Sequence, residues 1–294
     1  MTISKPIFIV GTGRCGSTAF HQLLALHPRL MWLSGFAERF PDRPQWNRWA
    51  VTAVGNPVIR KLLGDRIKPG ENYGFWYRHA FGFAEPGRDL VAGDVTSRVK
   101  KQMRRAIEPM LSPRRDRFLV KLTGWSRIGF LNEVFPDAKF IHIVRDGRAV
   151  ASSLLHVNAW QWRGWYGPYS WRYGPLPPED QAAWERHNRS FVALAGLQWK
   201  IHSRAVEAAR RELDPARFLE VKYETLCQEP LETIRRVAQF AELPASPVFE
   251  RRVRAAPIRD MSSRWRDDLT AEQQALLTSL LREDLVRYGY EVSP

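Results

Sequence analysis

The sequence predicts an α/β protein of three layers, α/β/α, around a central parallel sheet, and three observations point that way. Short, continuous apolar runs at 7–10, 30–33, 117–122, 139–144 and 217–221 read as strands covered on both faces. Helical periodicity fills the intervals at 17–26, 99–111, 127–134, 148–156 and 178–212, and returns at 231–240 and 271–288. No internal repeat or linker divides the 294 residues, so one domain spanning 1–294 is expected.

The first strand, Ile7-Phe8-Ile9-Val10, runs directly into Gly11-Thr12-Gly13-Arg14-Cys15-Gly16-Ser17-Thr18 and then into a helix. A glycine loop in that position aims backbone N–H groups and the positive end of the helix dipole at one point, where a phosphate or sulfate can sit. Arg14 adds a fixed positive charge. Two nucleotide-binding patterns fit the loop incompletely. Gly11-x-Gly13-x-x-Gly16 has dinucleotide spacing, with Glu38 at about the right distance to hold a ribose. Gly11-x-x-x-x-Gly16-Ser17-Thr18 has Walker A spacing, with Ser17 where the phosphate-reaching lysine belongs. Alone, the loop identifies an anion beside a helix N-terminus and leaves its class open.

Composition narrows the field. The net charge of +14 favours a phosphorylated or otherwise anionic partner. The basic residues are spread along the chain in pairs such as Arg114-Arg115 and Arg251-Arg252, without a basic arm or a nucleic-acid module, so nucleic acid is not expected. Two cysteines, Cys15 and Cys227, exclude a disulfide framework, and Cys15 reads as a small filler in the loop. The seven histidines show no metal-ligand spacing. No apolar run is long enough to cross a bilayer and no secretory signal is visible, which makes a soluble cytoplasmic protein the expectation.

A second motif runs from the strand Lys139-Phe140-Ile141-His142-Ile143-Val144 into Arg145-Asp146-Gly147-Arg148. Open α/β sheets bind ligands at the carboxyl ends of their strands, where Arg145 stands. Ser153, eight residues on, is placed to share an anion with it. Two stretches depart from the strand–helix rhythm: 45–87, rich in glycine, proline and aromatics, and 158–178, which holds Trp160, Trp162, Trp165, Tyr166, Tyr169, Trp171 and Tyr173. Both are expected to be insertions that cover a substrate.

The ordered set resembles the sulfotransferases that use 3′-phosphoadenosine 5′-phosphosulfate (PAPS). The likeness is greatest to the tyrosylprotein sulfotransferase branch and related bacterial enzymes. It rests on the glycine loop with Arg14, on Phe135-Pro136-Asp137-Ala138 leading to Arg145-Asp146-Gly147-Arg148 and Ser153, and on Lys222-Tyr223-Glu224-Thr225-Leu226. Ser263-Arg264-Trp265 ahead of a terminal helix completes it. The resemblance implies a P-loop-like αβα fold with helical and loop insertions, and metal-free transfer of a sulfuryl group to a hydroxyl by in-line displacement.

It also implies roles. Gly13, Arg14, Cys15, Gly16, Ser17 and Thr18 hold the 5′-phosphosulfate, with Arg14 as the electrostatic catalyst. Arg145 and Ser153 clamp the 3′-phosphate, Tyr223 meets the adenine or that phosphate, and Ser263 and Arg264 close over the donor. Lys121 matches a lysine that contacts the transferring group, although Thr123-Gly124 replaces the usual acid or hydroxyl and proline that follow it. Glu38 is the expected general base, with Asp94 and His79 in reserve, and Arg148 and Lys222 are surface charges. The acceptor is a hydroxyl on a glycan, a small alcohol or phenol, or a peptide tyrosine; the positive charge and the tryptophans suit a sugar or an already anionic glycan. A P-loop kinase and a basic nucleic-acid-binding protein are the alternatives. Ser17 in the lysine position opposes the first, and scattered basic residues oppose the second.

Overall fold

Five parallel strands form one sheet in the order β2-β3-β1-β4-β5 in the computed structural model, which describes residues 2–156 and 173–292. The strands are β1 (Ile7–Gly11), β2 (Leu30–Trp32), β3 (Arg117–Thr123), β4 (Lys139–Val144) and β5 (Phe218–Lys222). All five correspond to the apolar runs of the sequence. Register places Ile9 of β1 between Lys121 of β3 and Ile141 of β4. The central strands are buried along nearly their whole length, which explains why their runs are continuous rather than alternating.

The helices, in chain order, are α1 (Ser17–Leu24), α2 (Gly35–Arg39), α3 (Pro44–Ala53), α4 (Pro57–Leu63), α5 (Tyr73–His79), α6 (Ser97–Ile107), α7 (Ile128–Val134), α8 (Gly147–His156), α9 (Pro178–Arg186) and α10 (Phe191–Arg210). Then come α11 (Tyr223–Gln228), α12 (Pro230–Phe240), α13 (Pro247–Ala255), α14 (Trp265–Asp268) and α15 (Ala271–Arg287). No helix of the described residues is long and apolar enough to cross a membrane.

One reading of the sequence needs correction. The stretch 178–212 is two helices, not one: Asn188 and Arg189 turn left-handed (φ 53° and 52°), and the Ser190 hydroxyl caps α10 by accepting from Ala193 N. The stretch 45–87 is mostly helical. Its helices are short and begin at prolines (Pro44, Pro57), and fully buried Phe75 and Trp76 root α5 in the core, so no long apolar period marks them. The tryptophan-rich part of 158–178 lies outside the described residues up to position 172.

Because β1 is flanked by β3 on one side and β4 on the other, the sheet reverses its winding at the carboxyl end of β1. That is the crevice where open α/β sheets bind ligands. The glycine loop after β1, Thr123 at the end of β3 and Arg145 after β4 all reach this point.

Candidate functional site

The loop is built around Gly16, which caps α1 in the left-handed conformation (φ 86°) that a side chain disfavours. A Cβ there would stand 2.6 Å from Cε2 of Tyr223 and closer still to Cδ2, so the ring rests directly on the loop backbone. Gly13 is open, with nothing among the described residues within 4 Å of where its Cβ would lie. Among the described residues, the N–H groups of Gly13, Arg14, Gly16 and Thr18 donate to no backbone carbonyl. Ser17 and Cys15 are buried, and burial pushes the Cys15 thiol up, as a filler residue requires.

On one side of the loop, four elements deliver groups to one cavity of about 270 Å³. Arg14 itself sits at φ 67°, and its Nε donates to Oγ of Ser153 on α8 at 3.1 Å. Arg145, buried behind it, donates from Nη1 to the Arg14 carbonyl at 3.2 Å and from Nη2 to the Met261 carbonyl. Its guanidinium lies 4.5 Å from the Tyr223 ring centroid, a cation–π contact, while its Nε has no partner among the described residues. Tyr223 is fixed by donating its hydroxyl to the Arg259 carbonyl at 3.1 Å, and burial pushes that hydroxyl up to about 12. Arg264 lines the same cavity, paired with Asp268 at 3.0 Å, and Trp265 walls it. Ser263 sits on the exposed turn before α14, outside the lining residues.

The electrostatics suit an anion. Burial, and then the charge of Arg145, hold the Arg14 guanidinium below its ordinary value, yet it stays charged at neutral pH. Of the nearby acids, Asp268 serves Arg264 and Asp260 Oδ1 accepts from the Ser262 hydroxyl at 2.6 Å.

On the other side of the loop, Lys121 of β3 donates from Nζ to Thr18 Oγ1 at 2.9 Å and lies 3.4 Å from Glu71 Oε1. Glu71 is held by Thr123 and Tyr73: Oε1 accepts from the Thr123 hydroxyl at 2.7 Å and Oε2 from the Tyr73 hydroxyl at 2.6 Å. Trp76 Nε1 donates to the Glu71 backbone carbonyl at 2.9 Å. Burial, reinforced by Glu71, pushes the Tyr73 hydroxyl well above its ordinary range.

Glu71 is the acid that the sequence did not single out. It lies in a stretch without periodicity, and its lysine partner is far away along the chain. Glu38, by contrast, is exposed and accepts from Gly74 N at 2.9 Å, at the start of α5. Asp94 is held down at about 2 by Arg88 and the Val91 N–H. His79 Nε2 meets the Pro41 carbonyl at 2.9 Å. Arg148 is not the surface charge that the sequence suggests. It is buried, with Nη2 2.8 Å from Asp146 Oδ2 and its guanidinium 4.4 Å from the Trp265 ring centroid.

Comparisons with known proteins identify the family and the fold. A family profile described as "Sulfotransferase family" matches residues 6–247. The omega-hydroxy-beta-dihydromenaquinone-9 sulfotransferase Stf3 of Mycobacterium bovis is 27% identical, covering 97% of this chain and 75% of that one. The nodulation protein NoeE of Sinorhizobium fredii is 26% identical, covering 97% of this chain and 66% of its own length. Among solved structures, sulfotransferase STF9 of Mycobacterium avium superposes with a TM-score of 0.64 at 18% identity, over 99% of this chain and 78% of that one. The sulfotransferase domain of the curacin pathway does so at 0.52 and 15% identity, over the whole of both chains. With the family profile spanning the sheet, the glycine loop and the Arg145 turn, the chain belongs to the sulfotransferase family.

Proposed function

We propose that the enzyme takes its sulfuryl group from PAPS and passes it to the hydroxyl of an acceptor. The observation that carries this reading is the convergence of Arg14, Arg145, Ser153 and Tyr223 on one cavity beside the glycine loop. The Nε of Arg145, unpartnered among the described residues, the Arg14 guanidinium bonded to the Ser153 hydroxyl, and the open space beside Gly13 suit a nucleotide carrying a second phosphate.

In this reading the N–H groups of Gly13, Cys15 and Gly16, with the first turn at Ser17 and Thr18, hold the 5′-phosphosulfate. Arg145 and Ser153 hold the 3′-phosphate and Tyr223 packs on the adenine side, with Arg264 and Ser263 closing the rim. The bond from Arg14 to Ser153 supports a place for Arg14 in the phosphate clamp. The cation nearest the transferring group is then Lys121, held by Thr18.

Bound there, the donor supplies an activated sulfuryl group with a phosphate as its leaving group. The chain supplies position and charge. Lys121 stabilises negative charge on the oxygens at the reacting centre, and the N–H groups of the loop do the same from the other side. Glu71 takes the proton of the acceptor hydroxyl. Its carboxylate already stands on the Lys121 side of the loop, ordered by Tyr73 and Thr123, whereas Glu38 serves the start of α5.

The acceptor is a hydroxyl compound. The name of Stf3 makes an isoprenoid quinone alcohol the first to try, and the charge of +14 keeps an anionic glycan beside it. The test is release of adenosine 3′,5′-bisphosphate from PAPS with a panel of lipid alcohols, phenols and glycans. Acceptor-dependent release is expected. Turnover of ATP-Mg²⁺ with no use of PAPS would overturn the reading in favour of a kinase.

A further inference from the structure

A second cavity lies near the far end of α1 from the glycine loop, between the end of that helix, the edge strand β2 and α13. At about 430 Å³ it is in the size range of small-molecule sites, roughly 300–1,000 Å³. Leu26, Trp32, Val54 and Ile67 give it apolar walls, and Arg115, Arg252 and Arg60 bring positive charge to its lining.

The charge there is unbalanced. Arg115 is half-buried, with its guanidinium 5.1 Å from the Trp32 ring centroid. Its Nη1 donates to the Leu30 carbonyl at 2.6 Å. Among the described residues neither Arg115, Arg252 nor Arg60 forms an ion pair with a carboxylate. Asp65 is already paired with Lys68 at 2.6 Å. Burial, and then the like charge of Arg252, push Arg115 down to about 10. A cavity with a desolvated guanidinium, a second one in its lining and an apolar wall is built for a molecule with an anionic end and a greasy end.

We propose that this cavity binds an amphiphilic anion, its single anionic head between Arg115 and Arg252 and its apolar tail against Leu26, Trp32 and Val54. The site is separate from the donor cavity and does not rest on the donor reading. It shares a wall with the strap that carries Glu71. Trp32 Nε1 donates to the Ile67 carbonyl at 3.1 Å, and Asn72, the residue after Glu71, donates to the Leu33 carbonyl at 2.7 Å.

The test is isothermal titration of the full chain with dodecyl phosphate below its micelle concentration, with laurate, dodecanol and inorganic phosphate alongside. One-to-one binding of dodecyl phosphate or laurate is expected, with no binding of dodecanol or phosphate. Arg252→Glu, on an exposed position, should weaken that binding at least tenfold and leave the affinity for adenosine 3′,5′-bisphosphate unchanged. Which head binds more tightly tells a fatty acid from a phosphate or sulfate ester. Equal binding by wild type and Arg252→Glu, displacement by the bisphosphate, or no binding of either amphiphile would each overturn the proposal.

Discussion

Tyr223 lies flat against Gly16, so close that a Cβ on Gly16 would enter the ring. The tyrosine opens α11 directly after β5 and the glycine closes the loop between β1 and α1, and the tyrosine also lines the cavity beside that loop. Gly16→Ala must therefore displace the ring and strain a left-handed residue at once. The expected result is at least a tenfold loss of affinity for adenosine 3′,5′-bisphosphate by calorimetric titration. Tyr223→Ala, which removes the clash without touching the loop, should lose affinity with a smaller fall in melting temperature.

Glu71 and Glu38 make a discriminating pair. If Glu71 takes the acceptor proton, Glu71→Gln should lower kcat about 10²–10⁴-fold. The dissociation constant of the bisphosphate should move less than threefold. Glu38→Gln keeps a carbonyl oxygen to accept from Gly74 N, and kcat should stay within a few-fold of wild type. The reverse ranking would return the role to Glu38.

Much of this was legible in the sequence, and the limits have physical causes. Strands buried on both faces announce themselves as unbroken apolar runs, so all five appear close to their observed limits. Arg145 and Tyr223 stand just past strand ends, Arg14 in the loop after β1 and Ser153 about two turns into α8, where the topology brings them together. Glu71 and Arg148 were not legible. The partners of Glu71 are Lys121 and Thr123 on another strand, and no local pattern encodes them. Arg148 looks like a solvated charge because its burial depends on Trp265 and on the Glu291 carbonyl, both far along the chain.

The Asp146–Arg148 pair predicts a structural cost. Both residues are buried, with Arg148 Nη2 and Asp146 Oδ2 2.8 Å apart. Arg148→Ala strands a buried carboxylate and should destabilise the protein by about 3–5 kcal/mol, measured by urea unfolding. Double replacement with apolar residues of similar volume, Asp146→Leu with Arg148→Met, should recover part of the loss.

Stability should also fall in mild acid. Burial holds His21 and His202 at about 3, far below the ordinary histidine value near 6.5. Between those values the unfolded chain binds protons that the folded chain refuses, so stability is complete above about pH 6.5 and falls as pH drops toward 3. Each histidine contributes on the order of 1 kcal/mol per pH unit in that window. His202→Phe should flatten the dependence of melting temperature on pH between 6.5 and 5. An unchanged slope would mean that this histidine is not held neutral.

The central claim is that the arginine pair and Ser153 read a second phosphate on the donor. Calorimetric titration with adenosine 3′,5′-bisphosphate and with adenosine 5′-monophosphate tests it most directly, on wild type and on Arg145→Ala. Wild type should prefer the bisphosphate by at least tenfold, and Arg145→Ala should erase that preference while still binding the monophosphate. Equal affinity of wild type for the two nucleotides, or a preference that survives in Arg145→Ala, would contradict the account.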